Sequence, residues 1–383
     1  MSSSVSQIFA PGSADPGPTR NSLHEHNFGM RVLMTADTVG GVWNYSINLA
    51  QALEPFNVEF ILATMGRRPS SDQWAQARAC SNLRLIDSDF RLEWMNDPWV
   101  EIDRASHWLL QLRDKWQPDL IQLNNYSHAS LSWQLPVIVV AHSCVLSWWN
   151  AVHHEPAPGD WGTYARRVAE GLRRADVVVA PSNAMLAGLH QFYHWNGPGK
   201  VIWNGIPKPK PNPQTKEDLI LTVGRLWDEA KNVRALVTIA PHLAWPVYAA
   251  GESGESGGTN SVRRLGYLSA CEIASWMTRA PIYALPARYE PFGLSILEAA
   301  QRGCALVLGD ISSLRELWDG AAWFVHPDDH LELKNALDTL IANERLRMEF
   351  SSRACERSNQ YGPEGMAQQY VAVYRQLVED SRT

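Results

Sequence analysis

The chain has 383 residues, of which 45% are hydrophobic and 19% charged, and a formal net charge of −6. That length exceeds a single ordinary core and suits two domains, and the composition is that of a globular protein. The acidic balance excludes the broad basic surface that nonspecific nucleic-acid binding requires, so no nucleic-acid partner is expected. Cys80, Cys144, Cys271, Cys304 and Cys355 are dispersed, with no CxxC and no His/Cys metal spacing, and read as reduced thiols. No run reaches the ~18 to 20 apolar residues of a bilayer span. The first thirty residues lack the apolar stretch of a signal peptide, and a cytoplasmic location is expected.

Residues 1–29, rich in Ser, Pro and Gly, read as a mobile tail. Order begins with an apolar run at 31–36, followed by Asp37-Thr38-Val39-Gly40-Gly41 and a helical pattern through Leu53. A second strand is expected at 58–64. Asp97-Pro98 suggests a capped helix start with proline in the first turn, and Ile102, Ala105, Leu109, Leu112 and Trp116 continue at helical spacing as core residues. Further strands are expected at 120–123, 137–141 and 177–180. After Asn204-Gly205 comes the stretch Pro207-Lys208-Pro209-Lys210-Pro211-Asn212-Pro213, a linker by composition. Strands at 219–223, 247–250, 282–285 and 305–308 then alternate with helices, while 251–258 is Gly/Ser-rich and reads as a flexible loop.

Strands alternating with helices predict an α/β protein with parallel sheet. The pattern occurs twice, giving two Rossmann-like domains at 30–206 and 207–362 that face across a cleft where ligands bind. Residues 363–383 read as a C-terminal helix packing back on the first domain.

The most informative segment runs from Ala287 to Ala300, after a strand and into a helix. Pro291 and Gly293 make the turn, so the amides of Gly293 and Leu294 point out of the helix start and attract anions. Glu290 precedes the turn and Glu298 lies about one helical turn inside, so both can face one ligand. Carboxylates accept paired hydrogen bonds from sugar and ribose hydroxyls. A second constellation follows the strand ending at Gly224, where Arg225 and Lys231 stand with five residues between them. Two oriented cations suit the charge of a departing diphosphate.

The 287–300 segment resembles the motif of glycosyltransferase family 4 and its retaining GT-B relatives, with two glutamates separated by seven residues around a Phe-Gly-Leu turn. The resemblance extends from Arg31 to about Leu377. It implies a GT-B fold and a donor that is a nucleotide diphosphate sugar, linked to UDP, GDP or ADP. It also implies that Glu290 holds the donor sugar, Glu298 the ribose, and the amides of Phe292, Gly293 and Leu294 the sugar and phosphates. Arg225 and Lys231 take the diphosphate. A Gly-Gly pair is by itself only a turn, and no GxGxxG is present, but the resemblance makes Gly40 and Gly41 donor contacts. It also places His142, at the end of its strand, beside the sugar. Asn204, Gly205 and Glu316 fit the family as loop and packing residues. Tyr267, after Gly266, either stacks on the nucleotide base or packs as a buried aromatic.

Three segments depart from the family pattern or stand apart from it. The loop 251–260 replaces a longer helical stretch, and Gly303-Cys304-Ala305-Leu306 replaces a Gly-x-Pro-Val. Trp148, Trp149 and His153 lie on the acceptor side, where clustered aromatics bind sugar rings or lipids or simply pack a loop. Arg166, Arg167, Arg173 and Arg174 read first as a solvated face, with peripheral contact at an anionic membrane as a second reading.

The function expected is transfer of a glycosyl unit, with retention, to a sugar, lipid-linked or small-molecule acceptor. With Arg and Lys facing the diphosphate, neither a metal nor a cofactor is expected. A GT-B epimerase or hydrolase without an acceptor pocket, and a non-catalytic carbohydrate-binding protein, remain as alternatives.

Overall fold

The computed structural model describes residues 29–210, 215–252 and 261–382. The expected tail (apart from Gly29), the end of the proline-rich linker and most of the Gly/Ser-rich loop lie outside the described residues.

Seven strands form the first sheet: β1 (Met30–Asp37), β2 (Val58–Met65), β3 (Leu83–Asp87), β4 (Leu120–Leu123), β5 (Val137–Val140), β6 (Val177–Ala180) and β7 (Gly199–Val201). Their order is β3-β2-β1-β4-β5-β6-β7. The second sheet holds β8 (Ile220–Val223), β9 (Val247–Ala250), β10 (Val262–Gly266), β11 (Ile282–Leu285), β12 (Ala305–Gly309) and β13 (Trp323–Val325). Its order is β10-β9-β8-β11-β12-β13. Every pairing is parallel. Helices cover both faces, so inner strands such as β5, Val-Ile-Val-Val, are buried at every residue and read as unbroken apolar runs. Along β1 the side chains alternate, Val32 and Met34 entering one core and Leu33 the other.

The nine strands expected from the sequence are all present. The four it missed, β3, β7, β10 and β13, are the edges of the two sheets. Edge strands are less covered and carry polar residues, as in Leu-Arg-Leu-Ile-Asp of β3 and Val-Arg-Arg-Leu-Gly of β10. The helix expected to start at Asp97-Pro98 begins later, at Trp99. The Pro98 carbonyl accepts from the amides of Glu101 and Ile102, so proline precedes the helix, and Asp97, at φ +41°, does not cap it. Ile102, Ala105, Leu109 and Leu112 are buried as their spacing demands, while Trp116 is half-buried beneath the Arg84 guanidinium at 4.8 Å.

The last helix, Pro363–Asp380, returns to the first sheet and adds Met366, Tyr370 and Tyr374 to its core. There the Tyr45 hydroxyl donates to that of Tyr370 at 2.6 Å and accepts from Gln122 Nε2 at 3.1 Å, and Tyr374 donates to Gln122 Oε1. Each buried hydroxyl thus finds a partner, whereas leaving one unpaired costs about 1–3 kcal/mol. The two connections between domains run side by side, with the Ile206 amide bonded to the Tyr361 carbonyl at 3.3 Å. Gly205 is required in this crossing, because a Cβ there would stand 2.3 Å from the Gly362 carbonyl oxygen.

The domains also touch beside the cleft. Ser182 donates to the Pro291 carbonyl at 2.8 Å, and the Cys144 amide donates to the Tyr289 hydroxyl at 3.1 Å. Glu316 accepts from the amides of Asn183 and Ala184 at 2.8 and 2.9 Å and caps a first-domain helix, Asn183–Tyr193, with a carboxylate from the second domain.

Candidate active site

Each sheet reverses its strand order once, between β1 and β4 in the first and between β8 and β11 in the second. Loops leaving the carboxyl ends of strands at such points part to form a ligand crevice. The residues singled out from the sequence lie mainly on these loops and on the one after β5, and the loops of the two domains face each other.

From the first domain comes the turn after β1. The half-buried Asp37 carboxylate accepts from the amides of Val39 and Gly40 at 2.9 and 3.2 Å and fixes the turn. Burial pushes the Asp37 carboxyl up from the usual range against the opposing pull of these amides and of Arg225. Gly40 lies against Arg225 of the other domain: a Cβ there would come within 2.8 Å of Arg225 Nη1. Gly41 faces Leu294, whose Cδ1 would be 3.8 Å from such a Cβ. The helix Gly41–Leu53 starts here without a side-chain cap.

His142 follows β5. Its Nε2 lies 2.9 Å from Asn124 Oδ1, and its ring meets Tyr45 edge-to-face at 4.5 Å. Asn124 Nδ2 donates to the Thr35 carbonyl at 2.6 Å, so Oδ1 is the atom turned to the histidine and His142 carries its proton on Nε2. Burial lowers the pKa of His142 from 6.5 to about 3. The ring is therefore neutral in the fold, with Nδ1 as an acceptor. The unfolded chain takes up a proton below pH 6.5 that the fold resists, so this contribution to stability is complete above pH 6.5 and is lost as pH falls toward 3. His142→Gln is expected to flatten the decline of stability with acidity by up to about 1.4 kcal/mol per pH unit, measured by denaturant titration at several pH values below 6.5. An unchanged slope would mean that the ring is hydrated and titrates normally.

The second domain contributes the charges. Lys231 Nζ donates to Glu290 Oε2 at 2.5 Å, with the two side chains only 14% and 12% exposed. Their loops are clamped together: Asn232, at φ +53°, donates through Nδ2 to the Pro286 and Pro327 carbonyls at 2.9 and 2.7 Å. The Arg288 amide bonds the Ala230 carbonyl at 2.8 Å, and Ser313 Oγ holds the Glu290 carbonyl at 2.6 Å. Arg225 pairs with Asp228 at 2.8 Å.

Gly293 ends the turn at φ +85°, where a Cβ would stand 2.6 Å from Ile296 Cδ1 and 3.3 Å from Glu290 Cγ. Only glycine fits. The helix Leu294–Gln301 follows, and the first amides of a helix have no intrahelical partner. Phe292 is buried edge-on to Tyr361. Glu298 stands on the same helix, its carboxyl pushed up by burial and partly restrained by Arg302, whose guanidinium bonds the Glu298 carbonyl rather than its carboxylate.

The aromatic cluster lies on the helix Val145–His153, with Trp148 and Trp149 half-buried, His153 exposed, and the Trp149 and His153 rings 4.5 Å apart. Trp148 Nε1 crosses the cleft to Asp228 Oδ1 at 3.0 Å. Tyr267 follows Gly266, which has φ +71°; it is 65% exposed and makes no ring contact among the described residues. Arg166, Arg173 and Arg174 are exposed, whereas Arg167 pairs with Asp103 at 2.7 Å.

The glycosyltransferase family 4 model matches residues 39–208, and the model of glycosyl transferases group 1 matches residues 206–357. Together they run from residue 39 to residue 357 and so cover most of both domains and of the cleft loops. The chain belongs to the group 1, family 4 glycosyltransferases. Glycogen synthase of Mycobacterium tuberculosis is 28% identical over 233 residues, 52% of this chain and 54% of that protein. The chain thus spans about half the length of the first relatives it matches. The N,N'-diacetylbacillosaminyl-diphospho-undecaprenol α-1,3-N-acetylgalactosaminyltransferase of Campylobacter jejuni is 26% identical over 119 residues, 30% of this chain and 31% of that protein. Among solved structures, sucrose-phosphate synthase from Thermosynechococcus elongatus aligns with a TM-score of 0.77 at 18% identity, over 92% of this chain and all of that one. Anabaena HepE in complex with UDP and glucose aligns with a TM-score of 0.71 at 17% identity, over 91% of this chain and all of that one. These likenesses establish the GT-B fold.

Two residues of the cleft did not stand out in the sequence. Asp228 sits three positions after Arg225, a spacing that brings the two together and that could have been noticed. Asn124 gives no local signal, since it meets His142 only through the pairing of β4 with β5.

Proposed function

We propose that the protein transfers a glycosyl unit from a nucleoside diphosphate sugar to an acceptor with retention at the anomeric carbon. The observation that carries this reading is the Lys231–Glu290 pair at 2.5 Å beside the glycine-led helix start at Leu294, with Arg225 laid against Gly40 opposite. Arg225, Lys231 and the amides of Gly293 and Leu294 neutralise the diphosphate as its bond to the sugar lengthens. Glu290 accepts from sugar hydroxyls and Glu298 from the ribose. His142, neutral with Nδ1 as the acceptor nitrogen, accepts from a sugar hydroxyl and does not serve as a strong base.

Retention is supported by where the carboxylates are committed. Asp37 holds two amides, Asp228 holds Arg225, and Glu290 holds Lys231. None of these three stands ready to deprotonate an acceptor from the far face, and Glu298, with no cation on its carboxylate among the described residues, is assigned to the ribose in this reading. The acceptor hydroxyl then approaches on the leaving-group side: its oxygen bonds to the anomeric carbon, the bond to the diphosphate breaks, and a phosphate oxygen takes the proton. The UDP and glucose named with Anabaena HepE, and the diphospho-undecaprenol in the name of the Campylobacter relative, make UDP-glucose the first donor to test and lipid-linked sugars the first acceptors. Five cysteines without a disulfide suit a reducing compartment, in keeping with a cytoplasmic enzyme, and no described helix is long and apolar enough to cross a membrane.

Proton NMR of the newly formed product tests the reading. From an α-linked donor the first product is α, and a β product would exclude retention. Donor breakdown without transfer to any sugar or lipid acceptor would instead mark a hydrolase. We further propose that no metal is required, since two cations face the diphosphate and no described group of three His, Cys, Asp or Glu side chains could hold an ion. Activity in excess chelator is expected to stay within about twofold of the untreated rate, as two fixed cations take the place of a bound ion. Complete loss, restored by magnesium or manganese, would overturn this.

A further inference from the structure

Three donors converge on the Asp228 carboxylate. Oδ2 accepts from Arg225 Nη2 at 2.8 Å, while Oδ1 accepts from the Ala230 amide and from Trp148 Nε1, both at 3.0 Å. The side chain is 4% exposed, leaving no open edge for substrate. Burial pushes its pKa up, but Arg225, Lys231 and the bonds from Arg225 and Trp148 outweigh this and hold it below the usual range. The donors belong to three parts of the molecule: the diphosphate-facing arginine, the turn that carries Lys231, and the helix Val145–His153 of the opposite domain. Arg225 is itself 37% exposed, and its Nε has no partner among the described residues; Asp37 attracts it through space, and Asp228 is the carboxylate that holds it by a hydrogen bond.

We propose that Asp228 is a positioning residue that aligns Arg225 when the domains close, with the Trp148 indole as the contact that reports closure. Rotation about the paired connections at Ile206 and Tyr361 moves Trp148 away from Asp228. The carboxylate then loses its cross-cleft donor, and Arg225 gains freedom. Donor can bind to the second domain in either state, but full stabilisation of the departing diphosphate waits for closure. This inference rests on the reading of Arg225 as a diphosphate ligand.

The test uses nucleotide release from whichever of UDP-glucose, GDP-mannose and ADP-glucose the full-length protein consumes. Trp148→Phe keeps an aromatic ring and removes only the N–H. It is expected to lower kcat about tenfold with donor KM within about twofold, as for loss of one hydrogen bond to a charged group. Asp228→Asn is expected to lower kcat at least as much. The double variant should be no slower than Asp228→Asn alone, because the indole acts through the carboxylate. Unchanged kcat in Trp148→Phe, a rise confined to KM, or a double variant as slow as the product of the singles would overturn the proposal. If Asp228→Asn fails to fold, Trp148→Phe still decides through its split between kcat and KM at wild-type melting temperature. Arg225→Ala separates the two claims: wild-type turnover there sinks the reading of Arg225, whereas a crippled Arg225→Ala beside a normal Trp148→Phe sinks only the positioning role.

Discussion

Lys231→Ala is expected to lower turnover by ~10² to 10³, while donor affinity falls only about tenfold. Charge on the diphosphate grows as the glycosidic bond breaks, so a fixed cation is worth more in the transition state than with bound donor. The Lys231 ammonium is held in place before donor arrives, by Glu290 at 2.5 Å and by a turn pinned through Asn232 to two carbonyls. That preorganisation lowers the reorganisation needed at the moment of reaction. Removing the lysine also strands the Glu290 carboxylate, which is 12% exposed, and part of any loss of stability comes from that unpaired charge. Lys231→Gln separates the effects, because its amide still donates to Glu290 but brings no charge to the phosphate. Both variants should be slow, and only Lys231→Ala should melt markedly earlier. Steady-state rates and melting curves on the pair check this. Near-wild-type turnover in Lys231→Ala would make the residue a structural partner of Glu290 and nothing more.

Glu290→Gln is expected to reduce kcat ~10²-fold with a small change in donor KM, and Glu298→Ala to show the reverse emphasis, raising donor KM most. The two glutamates differ in their surroundings. Glu290 lies ahead of the helix start, its carboxylate on Lys231 and its carbonyl held by Ser313, so the turn survives the substitution. An amide accepts more weakly from sugar hydroxyls than a carboxylate does, and the loss is felt where the sugar carries developing positive charge. Glu298 sits inside the helix with no cation on its carboxylate among the described residues, and burial raises its pKa. It suits a ribose, which does not react. Equal rates and equal affinities in the two variants would remove the division of labour.

These contrasts reflect what a sequence carries. The inner strands were legible because burial on both faces leaves only apolar residues, as in β5 and β11. The edges β3 and β10 were not, because their outer positions hold Arg84, Arg263 and Arg264, and no local pattern separates such a segment from a loop. The charged residues of the candidate site stood out in the sequence as spacings, Glu290 to Glu298 around a glycine turn and Arg225 to Lys231 after a strand. Their mutual contact was not. That Lys231 reaches Glu290 depends on neighbouring β8 and β11, and that Trp148 reaches Asp228 depends on how two domains meet. Trp148 stood out as a possible acceptor-side aromatic, and its indole N–H is engaged across the cleft, which local sequence cannot express.

The most direct measurement is a calorimetric titration of UDP, GDP and ADP into the wild type and into Arg225→Ala/Lys231→Ala, with the matching nucleosides as controls. One nucleoside diphosphate is predicted to bind the wild type at a single site, its nucleoside far more weakly. The double variant is predicted to lose ~10²-fold in affinity for the diphosphate and almost none for the nucleoside, as expected for removing charge-assisted hydrogen bonds to phosphate. Equal affinity of both proteins for the diphosphate, or no binding of any of the three to the wild type, would contradict the placement of a nucleotide-sugar donor in this cleft.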